Sequence, residues 1–214
     1  MIQDRQLIVV SNRQPYRHDY DDDRKQTTVD RPTGGLTAGL DPVMQRGGGT
    51  WIAWGDGDKD AEVVDSDDCV SVPPDDPSYE LKRVWLSDDQ VHDYYYGFSN
   101  QVLWPVSHSA LTRVRCDAGF WDRYSEVNEL FSTAVTDHAD DRPIVWFQDY
   151  HLALAPKFVR PELPDDALVM HFWHIPWPSW DTFRACPHRR DVLEGLLGND
   201  LLAFHTSRYR SNFL

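Results

Sequence analysis

The sequence predicts an α/β protein built on one mostly parallel sheet flanked by helices. First, four short apolar runs, Leu7 to Val10, Ile144 to Phe147, Ala167 to Trp173 and Leu201 to Phe204, read as buried strands. Second, segments with apolar residues three and four apart stand between such runs, and alternation of this kind favours parallel strands joined by right-handed crossovers. Third, 214 residues with 41% hydrophobic and 13% aromatic content are ample for a packed core.

The elements follow in order. Leu7 to Val10 is the first strand, ended by Ser11-Asn12-Arg13-Gln14-Pro15, and a polar, acidic loop to Pro32 follows. Gly34-Gly35 opens a helix carrying Leu36, Leu40, Val43 and Met44, closed by Gly47-Gly48-Gly49. Trp51 to Trp54, Cys69 to Val72 and Arg83 to Leu86 read as further strands. Ser87 with Gln90 makes a capping box that places Val91 to Phe98 on a helix. Phe120, Tyr124, Val127, Leu130, Phe131 and Ala134 mark an amphipathic helix for a sheet face. Ile144 to Phe147 is a strand, Leu152 to Val159 a helix, and Ala167 to Trp173 the next strand. Short helices near Thr182 and over Val192 to Leu197 precede the strand Leu201 to Phe204, and Thr206 is the expected N-cap of the last helix. Because the chain stops within that helical pattern, it reads as the N-terminal half of something longer.

Thirty-five acidic against 21 basic residues give a net charge of −14, which disfavours nucleic acid and anionic membranes as partners. The acid clusters Asp19 to Asp23, Asp56 to Asp60, Asp65 to Asp68 and Asp75-Asp76 lie in loop sequence and fit a halophilic protein solvated for high salt, the alternative being an ordinary acidic cytosolic protein. Their Asp-x-Asp pairs are read as solvated loops, so no metal site is expected. Cys69, Cys116 and Cys186 form neither a disulfide framework nor a zinc pattern. Met1 to Gln6 is polar, the following apolar run is too short for a signal peptide, and no run is long enough for a membrane span. A cytoplasmic location is expected.

Three polar clusters follow three strands: Asn12-Arg13, Asp149-Tyr150-His151 and His174. In a parallel sheet they converge on one crevice at the carboxyl ends of the strands. After His174, Pro176 and Pro178 force the chain out of the sheet; the alternative for this histidine is a bond to a nearby backbone carbonyl. An arginine, a carboxylate and a histidine around one cleft suit a phosphorylated polyhydroxyl ligand. Gly34-Gly35 before a helix either offers N–H groups to an anion or is simply a turn. The absence of G-x-G-x-x-G and of a P-loop removes support from nicotinamide chemistry and NTP hydrolysis. Tyr94-Tyr95-Tyr96, Trp51, Trp54 and Trp104 are read as core or as sugar-stacking surfaces.

Val9-Val10-Ser11-Asn12-Arg13, Gly34-Gly35-Leu36, Trp51, Tyr94-Tyr95, Phe98-Ser99-Asn100, Leu103-Trp104-Pro105, Asp149-Tyr150-His151-Leu152 and His174-Ile175-Pro176 occur in an order and spacing that resembles the N-terminal half of the trehalose-6-phosphate synthases. The resemblance implies a Rossmann-like domain over residues 1–214, one of the two that face a cleft in the GT-B arrangement. It implies retaining transfer of glucose from a nucleotide sugar such as UDP-glucose to glucose 6-phosphate, without metal or other cofactor. By it, Arg13, Tyr95 and Asp149 hold glucose 6-phosphate, and Trp104 lies beside this acceptor. Gly34 and Gly35 sit at the donor phosphates, and His174 touches the donor glucose; His174 and Asp149 are the expected catalytic residues. Gln148 stands where the family has histidine. The basic pair for the donor diphosphate belongs to a C-terminal domain, which a further domain or partner chain would have to supply, so the 214 residues are expected to bind glucose 6-phosphate without turnover. Trp51, Trp104 and Trp177 on an uncovered cleft face would favour a homo-oligomer. The alternatives are a non-catalytic sugar-phosphate-binding domain and a related glycosyltransferase with another acceptor.

Overall fold

The computed structural model describes residues 5–214; the polar start, Met1 to Asp4, lies outside them. Nine strands form a seven-stranded sheet and a separate hairpin. The strands are β1 (Leu7–Ser11), β2 (Arg17–Asp21), β3 (Gln26–Asp30), β4 (Thr50–Trp54), β5 (Cys69–Val72), β6 (Tyr79–Val84), β7 (Ile144–Gln148), β8 (Leu168–Trp173) and β9 (Leu201–Phe204). The large sheet runs β5-β6-β4-β1-β7-β8-β9. Every pairing in it is parallel except β5 with β6. The chain moves outward from β1 to β4 and β6, then returns to place β7 on the other side of β1. The strand order therefore reverses at β1/β7, where open α/β sheets make their ligand crevice.

Side chains of β1 alternate between the two faces, as the two-residue period of a strand requires. Ile8 and Val10 join one core with Ile52, Val145, Phe147 and Val169. Val9 joins the other with Trp51, Ala53, Met44 and Leu81. The first core is covered by the amphipathic helix Ala118–His138 through Phe120, Tyr124, Val127 and Phe131. Asp117 starts that helix by accepting from Gly119 N at 3.2 Å. The second is covered by the helix Gly35–Gly47, with Met44 fully buried.

Four expectations need correction. The segment read as a polar loop to Pro32 contains the β2–β3 hairpin. Its turn is held by Asp21, whose Oδ1 accepts from Asp23 N and Arg24 N at 3.0 Å each. An isolated hairpin is marginal in water; this one is tied down by His18 N and Tyr20 N donating to Asp60 and Asp58. The strand expected over Arg83 to Leu86 is β6, because Tyr79, Leu81 and Arg83 all point inward and the charged residues hid the alternation. The helix expected over Val91 to Phe98 is a π-helix, Val91–Leu103. Its buried residues are Tyr94, Gly97, Phe98, Ser99, Val102 and Leu103, a broad face that includes adjacent residues at 97–99 and 102–103. Finally, the stretch Leu152 to Val159 is split into the turn Tyr150–Leu152 and the helix Ala155–Val159. The capping box at Ser87 and Gln90 and the Thr206 N-cap are present.

Below the hairpin lies a buried ionic network. Arg83 and Asp60 are both fully buried and pair at 2.9 Å. Arg83 also donates to Gln14 Oε1, to the Asp60 and Tyr16 carbonyls, and to His18 Nδ1. Gln14 donates in turn to Asp56 and Asp60. The segment after β1 is thereby fixed at the residue next to Arg13.

Candidate functional site

The carboxyl ends of β1, β7 and β8 deliver Arg13, Asp149 and His174 to the same edge of the sheet. The guanidinium of Arg13 donates to the Tyr95 hydroxyl at 3.1 Å. Tyr95 reaches this point from the π-helix and stacks on His151, with ring centres 5.5 Å apart and planes 14° apart. His151 follows Asp149 by two residues, so the β7 end and the π-helix share one aromatic platform. Next to it, Tyr94 donates to Asn12 Oδ1 at 2.9 Å and Tyr150 to Asn100 Oδ1 at 2.8 Å.

Asp149 breaks from β7 with φ 69° and ψ 174°, a conformation that costs a non-glycine residue roughly 1–3 kcal/mol. The bend turns its carboxylate back over its own peptide. Oδ1 accepts from Tyr150 N at 2.9 Å and His174 N at 3.2 Å. Oδ2 has no protein donor among the described residues. Burial pushes this carboxyl up to about 6, against the two backbone donors. The carboxylate is thus desolvated without a cation to neutralise it, a state suited to accepting a ligand hydroxyl.

Removing the charge should expose that cost. Asp149→Asn keeps an acceptor for both N–H groups and, being of the same shape, meets the same backbone strain. At pH 7.5 it is expected to stabilise the chain by roughly 1–3 kcal/mol, the free energy equivalent of the raised pKa, while weakening ligand binding. Urea unfolding midpoints of the two proteins check the first effect; an unchanged or lower midpoint for the variant contradicts it.

Burial holds the neighbouring imidazoles neutral. His151 and His171 are each lowered to about 3, chiefly by desolvation. His174 is lowered to about 4 by desolvation and by the charge of His205, whose ring lies 5.4 Å away. His171 donates from Nε2 to the Asp149 carbonyl at 3.0 Å.

A cavity of about 450 Å³ opens beside Arg13, lined also by Gln14, Arg17, Thr33, Gly34 and Asp56. Arg13 faces both this cavity and the Tyr95 platform, whereas Tyr95, Asp149 and His174 do not line the cavity. Gly34 precedes the helix Gly35–Gly47 with φ −116° and ψ 145°, extended backbone that any residue adopts. A Cβ at Gly35 would meet nothing within 4 Å. The fold therefore does not require glycine at 35; the open space is available for close approach of a ligand. No side chain caps this helix, so its first N–H groups remain free for an anion.

The structure brings Arg13, Tyr95, Asp149 and His174 together, with Gly34 on the far side of Arg13. Trp104 stands apart: its ring stacks on His108 at 3.9 Å, and it has no hydrogen bond or ring contact to the other four among the described residues. It lies about one turn beyond Asn100. The expected uncovered tryptophan face needs correction, because Trp51 is 0% and Trp177 2% exposed; only Trp104, at 36%, is available. Sequence reasoning did not single out Arg17 or His205. His205 follows β9 as His174 follows β8, so the rule of polar residues at strand ends would have found it. Among the described residues, no group of three His, Cys, Asp or Glu is placed to hold a metal, and no helix is long and apolar enough to cross a membrane.

Comparison with known proteins gives concordant results. The model of glycosyltransferase family 20 matches residues 5–214. A trehalose-6-phosphate synthase of Mycobacterium sp. (strain KMS) is 39% identical over 211 residues, 99% of this chain and 41% of the relative. That of Mycolicibacterium smegmatis is 39% identical over 208 residues, covering 97% and 39%. Among solved structures, trehalose-6-phosphate synthase from E. coli bound with UDP-2-fluoro glucose superposes with a TM-score of 0.78 at 30% identity, covering 97% of this chain and 41% of that one. A UDP-forming α,α-trehalose-phosphate synthase from Burkholderia xenovorans in complex with glucose-6-phosphate gives 0.76 at 25% identity, covering 97% and 42%. The chain thus spans about two fifths of the length of these relatives.

Proposed function

The chain belongs to glycosyltransferase family 20, and from that premise we propose that it is the acceptor-binding, Rossmann-like part of a trehalose-6-phosphate synthase. In this reading glucose 6-phosphate is held by Arg13, Tyr95 and Asp149. The observation that carries it is the Arg13–Tyr95 hydrogen bond beside the desolvated Asp149 carboxylate at the strand-order reversal. A guanidinium and a phenol hydroxyl recognise a phosphate, and Asp149 accepts from a sugar hydroxyl. Trp104 borders the acceptor, and the free N–H groups after Gly34 and Gly35 receive the phosphates of a nucleotide-sugar donor such as UDP-glucose.

The chemistry follows from where charge develops. Transfer with retention builds positive charge on the donor ring and negative charge on the departing phosphate, so oriented N–H donors at that phosphate lower the barrier. His174, at the end of β8, lies against the donor glucose and orients it. The relatives' remaining length is the expected source of the cations on the diphosphate, whether in the same polypeptide or a partner chain. Turnover requires that second half, while acceptor binding does not. The same reading expects a cytoplasmic protein.

Calorimetric titration of the chain with glucose 6-phosphate tests the acceptor assignment. Arg13→Ala removes a charge-assisted contact to phosphate and should weaken binding by about 1.5–3 kcal/mol, roughly ten- to a hundredfold in Kd. Equal affinity in the variant rejects Arg13 as the phosphate ligand.

A further inference from the structure

Gln148 is buried at 1% exposure and lies between two polar partners. Its Nε2 donates to the Trp146 carbonyl at 3.3 Å, and its Oε1 lies 2.9 Å from His174 Nε2. The Trp146 carbonyl can only accept, so the amide nitrogen must face it. Turning the amide over would set two oxygens against each other. Oε1 therefore faces the imidazole and can only accept, so the proton sits on His174 Nε2. The ring is held neutral by its burial, so Nδ1 carries a lone pair.

We infer that Gln148 is a positioning residue that locks His174 in the Nε2–H tautomer and leaves Nδ1 as an acceptor for a ligand hydroxyl. Nδ1 has no protein partner among the described residues and is not one of the side-chain atoms sealed from solvent without one. An acceptor at this point pairs with a sugar O–H and repels a phosphate oxygen. His174 thus orients the sugar and does not donate a proton to the departing phosphate. The surroundings fix the ring from its other sides: His174 N is tied to Asp149 Oδ1, and Phe172 packs on the ring with centres 4.5 Å apart. An imidazole at position 148 could present either N–H or a lone pair to His174 and would not impose one tautomer. The amide does so because its donor end is already committed to Trp146.

The sugar-hydroxyl part of this inference rests on the proposed function; the tautomer lock does not, and its test uses the ligand-free chain. Long-range ¹H–¹⁵N correlation spectra of the ¹⁵N-labelled chain at pH 7.5 distinguish protonated from unprotonated ring nitrogens. The His174 signals are identified by their loss in His174→Asn. The wild-type chain is expected to show a pyrrole-type Nε2 and a pyridine-type Nδ1. Gln148→Leu, which removes the acceptor, should replace this pattern with resonances averaged between the two tautomers. A wild-type spectrum with the proton on Nδ1 overturns the inference outright, even if the leucine variant fails to fold. An unchanged pattern in a folded Gln148→Leu variant overturns the role of Gln148.

Discussion

Between pH 7 and pH 5 the chain is expected to lose about 4 kcal/mol of folding stability, a large part of what a domain has. His151, His171 and His174 have folded pKa values of about 3, 3 and 4, each lowered first by burial. In the unfolded chain they titrate near 6.5, so below that pH the unfolded state binds protons the folded state refuses. Each histidine then costs about 2 kcal/mol over this interval. Asp149 acts in the opposite sense: its folded value of about 6 lies above that of a free carboxyl, so the folded state gains a proton as pH falls and recovers roughly 1–2 kcal/mol. The three histidines outweigh the one aspartate. Urea midpoints measured from pH 7 to pH 5 check this; a midpoint that stays level or rises on acidification would mean that these imidazoles are not buried neutral.

Arg83→Met should destabilise the chain by about 3–5 kcal/mol, because it strands the fully buried Asp60 carboxylate. For a chain of this size that corresponds to a fall in Tm of roughly 6–20 °C. Burial raises the Asp60 carboxyl, but hydrogen bonds from His18 and Gln14 and the charge of Arg83 outweigh it and hold the group below its usual value. Its stabilising contribution is present at neutral pH and is lost as pH falls through that lowered value. Replacing both partners, Asp60→Leu with Arg83→Met, removes the uncompensated charge and should restore part of the loss. Calorimetric melting of the single and double variants decides the matter. A single variant within about 1 kcal/mol of the parent, the size of a surface pair, contradicts the network. Since Gln14 bridges this network and adjoins Arg13, the same pair also sets the position of the proposed phosphate ligand.

The parts of the fold legible in the sequence were those fixed by local pattern. Leu7 to Val10 and Ile144 to Phe147 are uninterrupted apolar runs because they lie in the middle of the sheet. The β2–β3 hairpin was not legible, because its exposed strands lack an apolar face and depend on Asp58 and Asp60 for support. β6 was legible only at its carboxyl end for a related reason: the exposed Glu80 and half-buried Lys82 break the apolar pattern ahead of Arg83. In the site, Arg13, Asp149 and His174 could be found because each directly follows an apolar strand. The π-helix that brings Tyr95 to Arg13, and the amide of Gln148 that orients His174, depend on tertiary geometry that periodicity does not encode.

The central claim is that the ends of β1, β7 and β8 form a sugar-phosphate site, and a crystal structure of the chain with glucose 6-phosphate tests it most directly. The account predicts the phosphate within hydrogen-bond distance of the Arg13 guanidinium and the Tyr95 hydroxyl, with a sugar hydroxyl on Asp149 Oδ2. A sugar phosphate bound elsewhere, with Arg13 and Tyr95 still paired only to each other, would contradict it.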